Sequence, residues 1–145
     1  MEFKEAVKIC LTAKYCRFRG RASRSEFWWF GLFSALVNAA VGIVAALAPS
    51  VGSIVSAVLG LWLLLPSLAV TARRLHDREV SGWWQALPAV FMLAGLAAAA
   101  AGAPQALTWT AAGAGLASLA LLVLCVLKGK SGPNRFGPDP LAAEE

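Results

Sequence analysis

Ten polar residues in three separated blocks hold the side chains with which this chain could do chemistry. Arg21, Arg24 and Glu26 form the first, Arg73, Arg74, His76 and Asp77 the second, and Asn134, Arg135 and Asp139 the third. Guanidinium groups fork onto phosphate or carboxylate through charge-assisted hydrogen bonds. These residue types therefore support an anion site for a lipid headgroup, a soluble metabolite or a partner protein. They equally support an ion network among the chain's own charges, which would lock loop and tail onto the rest of the protein. A third chemistry, acid–base catalysis by His76 with Asp77 or Asp139, is poorly equipped. His76 is the one histidine, its helical neighbour Asp77 would not face it, and it lacks companion ligands for a metal. The expectation is a non-enzymatic binding or interaction protein without metal or cofactor.

What positions these blocks is apparent from where charge is missing. Every Lys, Arg, Asp and Glu lies within residues 1–26, 73–82 or 128–145, and the stretches 27–47, 51–72, 83–103 and 106–127 have none. Each stretch matches the roughly 20 residues a helix needs to cross a bilayer core. The sequence therefore predicts an all-α membrane protein: a four-transmembrane-helix bundle forming one domain over residues 1–140. The outer turns at 48–50 and 104–105 contain no Lys or Arg, whereas the three charged segments hold seven, three and three of the 13. The positive-inside rule places both termini and the middle loop in the cytoplasm. The net charge of +5 then serves orientation and contact with anionic lipid, at roughly 1 kcal/mol per residue, rather than nucleic-acid binding. The first stretch ends in Ala46-Leu47-Ala48 like a cleavage site, but it is too long and too far into the chain for a signal peptide and is expected to be a retained span.

Phe3, Ala6, Val7, Cys10, Leu11, Tyr15 and Phe18 recur at spacings of three and four, which predicts an amphipathic helix over 1–18 at the membrane interface. Gly20 breaks it, and Ser23 with Glu26 has the spacing of a capping box that starts span one. Trp28 and Trp29, with Trp83 and Trp84, are expected to form an aromatic belt at headgroup depth. Gly52, Ser56 and Gly60 repeat every four residues, a pattern that permits close helix packing within the chain or a homo-oligomer seam. Pro66 and Pro88 are expected to kink spans two and three. Cys10, Cys16 and Cys125 match no zinc or redox spacing. Gly129-Lys130-Ser131 resembles the end of a P-loop, but Leu124 stands where the motif requires glycine.

Three sequence blocks resemble the DUF805 family of small bacterial inner-membrane proteins. They are Phe18-Arg19-Gly20-Arg21 through Arg24, Glu26 and Trp28; Arg73-Arg74-Leu75-His76-Asp77 with Ser81-Gly82-Trp83-Trp84; and Gly132 with Asn134-Arg135-Phe136-Gly137-Pro138-Asp139-Pro140. The resemblance runs from about residue 15 to 140, and departs at Lys130 and Pro133 and in the very short outer turns. It implies a four-helix protein of the bacterial inner membrane and supplies no activity. A small oligomeric channel or transporter is the alternative function. The absence of ionisable residues from the spans argues against ion coupling in it.

Overall fold

Lipid offers backbone groups no partners, so a charge-free stretch within it must close its own hydrogen bonds as a helix. A computed structural model describes residues 1–142 of the chain. Its helices are α1 Phe3–Leu11, α2 Arg24–Leu47, α3 Pro49–Asp77, α4 Leu87–Ala100 and α5 Gln105–Val126, with a 3-10 turn at Gly82–Ala86 leading into α4. Four segments are long and apolar enough to cross a membrane: α2, α3, Gly82–Ala100 and α5. Residues 143–145, the end of the expected tail, lie outside the described residues.

The spans pair as two antiparallel hairpins. α2 packs along α3 and α4 along α5, while α3 meets α5 only sparsely and reaches the second hairpin chiefly through the 3-10 turn. Gly52 lets the first hairpin close, because a Cβ there would lie 2.1 Å from the Ala45 Cα. The repeat expected to form one seam is thus divided. Gly52 packs inside the chain, whereas Gly60 faces open space and exposed Ser56 bonds back to the Gly52 carbonyl at 2.7 Å.

The prolines also divide. Pro66 lies inside α3, and without an N–H it leaves the carbonyl four residues earlier, that of Trp62, without its helical donor. The Tyr15 hydroxyl donates to that carbonyl at 2.6 Å. Pro88, expected as a kink, is instead the second residue of α4. A missing N–H there costs nothing, since the first helical N–H groups have no intrahelical acceptor.

The N-terminal helix is shorter than its apolar periodicity suggests. α1 ends at Leu11, and the chain turns through residues 12–16, with the Thr12 hydroxyl bonded to the Lys8 carbonyl at 2.6 Å. The turn brings Lys14 and Tyr15 back towards α2 and α3. Cys10 of α1 joins Ala22, Phe30, Leu63 and Val70 in the main buried apolar cluster. Phe3 meets Trp29 edge-on at 5.7 Å. Removing the Tyr15 hydroxyl should leave the Trp62 carbonyl bare in an apolar setting, costing about 1–3 kcal/mol. Tyr15→Phe is therefore expected to lower the unfolding midpoint in detergent, read by thermal denaturation, while retaining the aromatic contact with Trp62.

Candidate functional site

The three polar blocks meet at one end of the hairpins. α3 is the pillar: its last turns project Arg73, Arg74 and Asp77, all buried. Adjacent helical residues point about 100° apart, so Arg73 and Arg74 serve different neighbours. Arg73 turns to α2, where it pairs with Glu26. Glu26 also receives Lys14 Nζ at 3.0 Å and the Cys10 thiol at 3.7 Å. Arg74 turns to the second hairpin. Its Nε donates to the Cys125 carbonyl at 2.9 Å, and its Nη2 donates to the Leu127 carbonyl. It thereby caps the carbonyl end of α5, where helical dipoles favour a cation.

Asp77 is the junction. Its carboxylate lies between Arg74 and Arg21, whose Nη2 approaches to 2.7 Å. Arg21 continues into the tail, donating to the carbonyls of Gly132 at 2.6 Å and Lys130. The Asp77 backbone carbonyl accepts the Lys130 N–H at 2.9 Å. Gly129 passes so close that a Cβ would stand 1.8 Å from Asp77 Oδ2. That steric demand, rather than phosphate binding, accounts for the glycine in Gly129-Lys130-Ser131. Sequence spacing makes Asp77 a neighbour of both arginines, but of the pair only Arg74 reaches it. Arg73 has Glu26 instead.

The remaining expected site residues are not part of this ion network. Asp139 accepts backbone N–H groups from Gly132 at 2.7 Å and Leu141 at 3.0 Å. Those bonds hold its carboxyl below the usual range, so it shapes the tail rather than pairing with an arginine. Asn134 pins the tail to α3, its Nδ2 donating to the His76 carbonyl at 3.0 Å. Arg135 lies outside, donating to the Glu79 carbonyl at 2.8 Å over the Phe136 ring. His76 stacks on Phe136 at 4.0 Å, with Nδ1 3.1 Å from the Gly20 carbonyl. Arg24 is exposed and has no ion partner among the described residues. Trp28, Trp29, Trp83 and Trp84 are all exposed at this end of their spans. Lys14, Cys10 and Gly129 are site residues that no sequence pattern marks, because each acts on a partner far away in the chain.

Of the two arrangements the sequence leaves open, Arg21, Arg73 and Arg74 stand in the ion network, since all three are buried against this chain's own carboxylates and carbonyls. One donor is left over: Arg73 Nε is buried without an acceptor among the described residues. Arg73 lines a cleft of about 680 Å³ between the turn after α1 and the tail. Lys14, Arg17, Arg19 and Arg21 also line it, against Glu5, Glu26 and Asp139. The side chains of Arg17 and Arg19 are exposed and unpaired among the described residues.

Two apolar hairpins tied at one end by a buried ion-pair clasp define a multi-pass integral membrane protein. Residues 15–138 match the family described as a protein of unknown function, DUF805, and the chain belongs to that family. It is 33% identical over 132 residues to the inner membrane protein YhaI of Escherichia coli strain K12, covering 91% of this chain and 92% of the relative. It is 32% identical over 131 residues to the inner membrane protein YhaH of the same strain, covering 87% and 88%. It is also 35% identical over 129 residues to the uncharacterised protein YiiR of that strain, covering 84% of each. No solved structure matches.

Removing one member of a buried ion pair strands the other charge, at about 3–5 kcal/mol, whereas replacing both with apolar residues is often near neutral. Arg73→Met should therefore destabilise strongly, and Glu26→Leu in the same chain should recover much of the loss, as read by denaturation in detergent. Burial, helped by the Glu26 carboxylate, pushes the Cys10 thiol up to about 11. Because only the thiolate reacts, a maleimide at pH 7 should label exposed Cys16 well before buried Cys10 and Cys125. Cys10 should stay slow until the pH nears its raised value.

Proposed function

We propose that this is a non-enzymatic inner-membrane protein whose charged end faces the cytoplasm and holds an anionic lipid by its phosphate. The observation that supports the reading is the cleft beside the clasp. Arg17 and Arg19 stand at its rim, unpaired among the described residues. A phosphate offers acceptor oxygens to both rim guanidinium groups. The clasp gives the cleft a rigid wall, because Arg21, Arg73 and Glu26 are fixed by partners on other elements. The orientation rests on the absence of Lys and Arg from both outer turns, and the inner-membrane location on what YhaI and YhaH are named as.

Arg17→Ala with Arg19→Ala removes the rim cations without touching the clasp. At about 1 kcal/mol per basic residue near anionic lipid, the double variant should retain phosphatidylglycerol roughly tenfold or more weakly than the wild type. Native mass spectrometry from mixed nanodiscs reads this, with Lys4→Ala, outside the cleft, as the control. Equal retention by all three proteins would remove the reading. In intact spheroplasts, an impermeant maleimide should leave Cys16 unlabelled, and labelling there would reverse the orientation.

A further inference from the structure

A second recess lies beyond His76 and has the opposite character. It encloses about 730 Å³ where the first hairpin meets the start of the second. Leu68 and Ala72 of α3 form one wall, Ala86 and Ala89 the other, and Phe18 and Phe136 also border it. Among the described residues, no Lys, Arg, Asp or Glu lines it. Binding sites for small molecules have this make-up: roughly 300–1,000 Å³, mostly apolar, with a few placed polar groups.

Two polar side chains in the recess have unmet capacity. Gln85 Oε1 is buried without a hydrogen-bond partner among the described residues. His76 Nδ1 lies 3.1 Å from the Gly20 carbonyl. A carbonyl can only accept, so Nδ1 holds the proton and Nε2 of the neutral ring is left as an acceptor. Stacking on Phe136 with only 5° between the ring planes fixes the imidazole. Gly82 keeps the far side of the ring clear, because a Cβ there would lie 3.3 Å from Nε2 and 2.8 Å from the Ala72 Cβ. The recess is flanked by Trp83, which is 85% exposed, at the end of a membrane span. Its entrance is therefore at the lipid boundary.

We propose that this recess binds an uncharged lipid carrying a hydroxyl group. The apolar walls take an acyl chain, and the lack of cations offers nothing to a phosphate. A hydroxyl donates to His76 Nε2 or, once the Gln85 amide turns into the recess, to its Oε1. It also accepts, so it suits the amide of Gln85 in either orientation. This site is separate from the cationic cleft and stands whether or not that cleft binds lipid.

The test uses the full chain in phosphatidylcholine nanodiscs doped with a diacylglycerol bearing a photoactivatable acyl chain, or with its hydroxyl-methylated ether. Labelled peptides are read by mass spectrometry. The diacylglycerol should label the segment around Trp83–Ala89 about three- to tenfold more than the ether, the worth of one net hydrogen bond. Gln85→Leu should reduce diacylglycerol labelling to nearly that of the ether, and Ala86→Trp should fill the recess and suppress both. Cys125 must remain protected from maleimide in each variant, confirming that the clasp is intact. Equal labelling by the two lipids, or labelling unchanged by Gln85→Leu, would overturn the proposal. So would labelling spread along α4 and α5 and indifferent to Ala86→Trp, which is the pattern of annular lipid.

Discussion

The structure depends on one carboxylate held between two guanidinium groups. Asp77 at the end of α3 receives Arg74 from its own helix and Arg21 from the segment before α2. Those arginines in turn reach the carbonyl end of α5 and the tail. An unpaired charge in this setting would cost several kcal/mol, so the four segments can bury these groups only by meeting. The two cations exceed the one carboxylate. Carbonyl oxygens offset the remainder, including those at the end of α5, where the helix already carries partial negative charge. The rest of the join is the packing of α3 on the 3-10 turn, since α3 and α5 scarcely touch. In lipid no hydrophobic drive would press them together.

A second carboxylate repeats the arrangement on the other side of α3. Glu26 takes Arg73, Lys14 and the Cys10 thiol, which ties the N-terminal segment to the first hairpin. The Tyr15 hydroxyl on the Trp62 carbonyl extends that attachment deeper along α3. The family match begins at residue 15, so it includes Arg21, Glu26, Arg73, Arg74 and Asp77 but not α1. The clasp thus belongs to the shared region, and α1 is packed against it through Cys10.

The clasp also changes how the positive charge of this end is read. Arg21, Arg73 and Arg74, which resemble a ligand site in the sequence, are buried and paired with carboxylates. Arg17 and Arg19 at the rim of the cleft, like Arg24, are instead exposed and without an ion partner among the described residues. The same residue type thus stands both in a fixed interior and at an open rim.

Composition and order along the chain were enough to determine the spans, the sharing of one end by all charged segments and the start of α2 at Ser23. Hydropathy and charge act residue by residue, and a bilayer sorts them along a single axis. Capping is also local, so Ser23 accepts the Glu26 N–H as its spacing suggests. The Glu26 side chain does not complete the box by returning to Ser23, because Arg73 and Lys14 claim it. Which cation serves which carboxylate, which of Pro66 and Pro88 lies inside a helix, and which of Gly52 and Gly60 is packed were decided only by the tertiary structure. Each depends on what a side chain meets across tens of residues of intervening chain, and on the turn of about 100° that sends adjacent Arg73 and Arg74 to different partners.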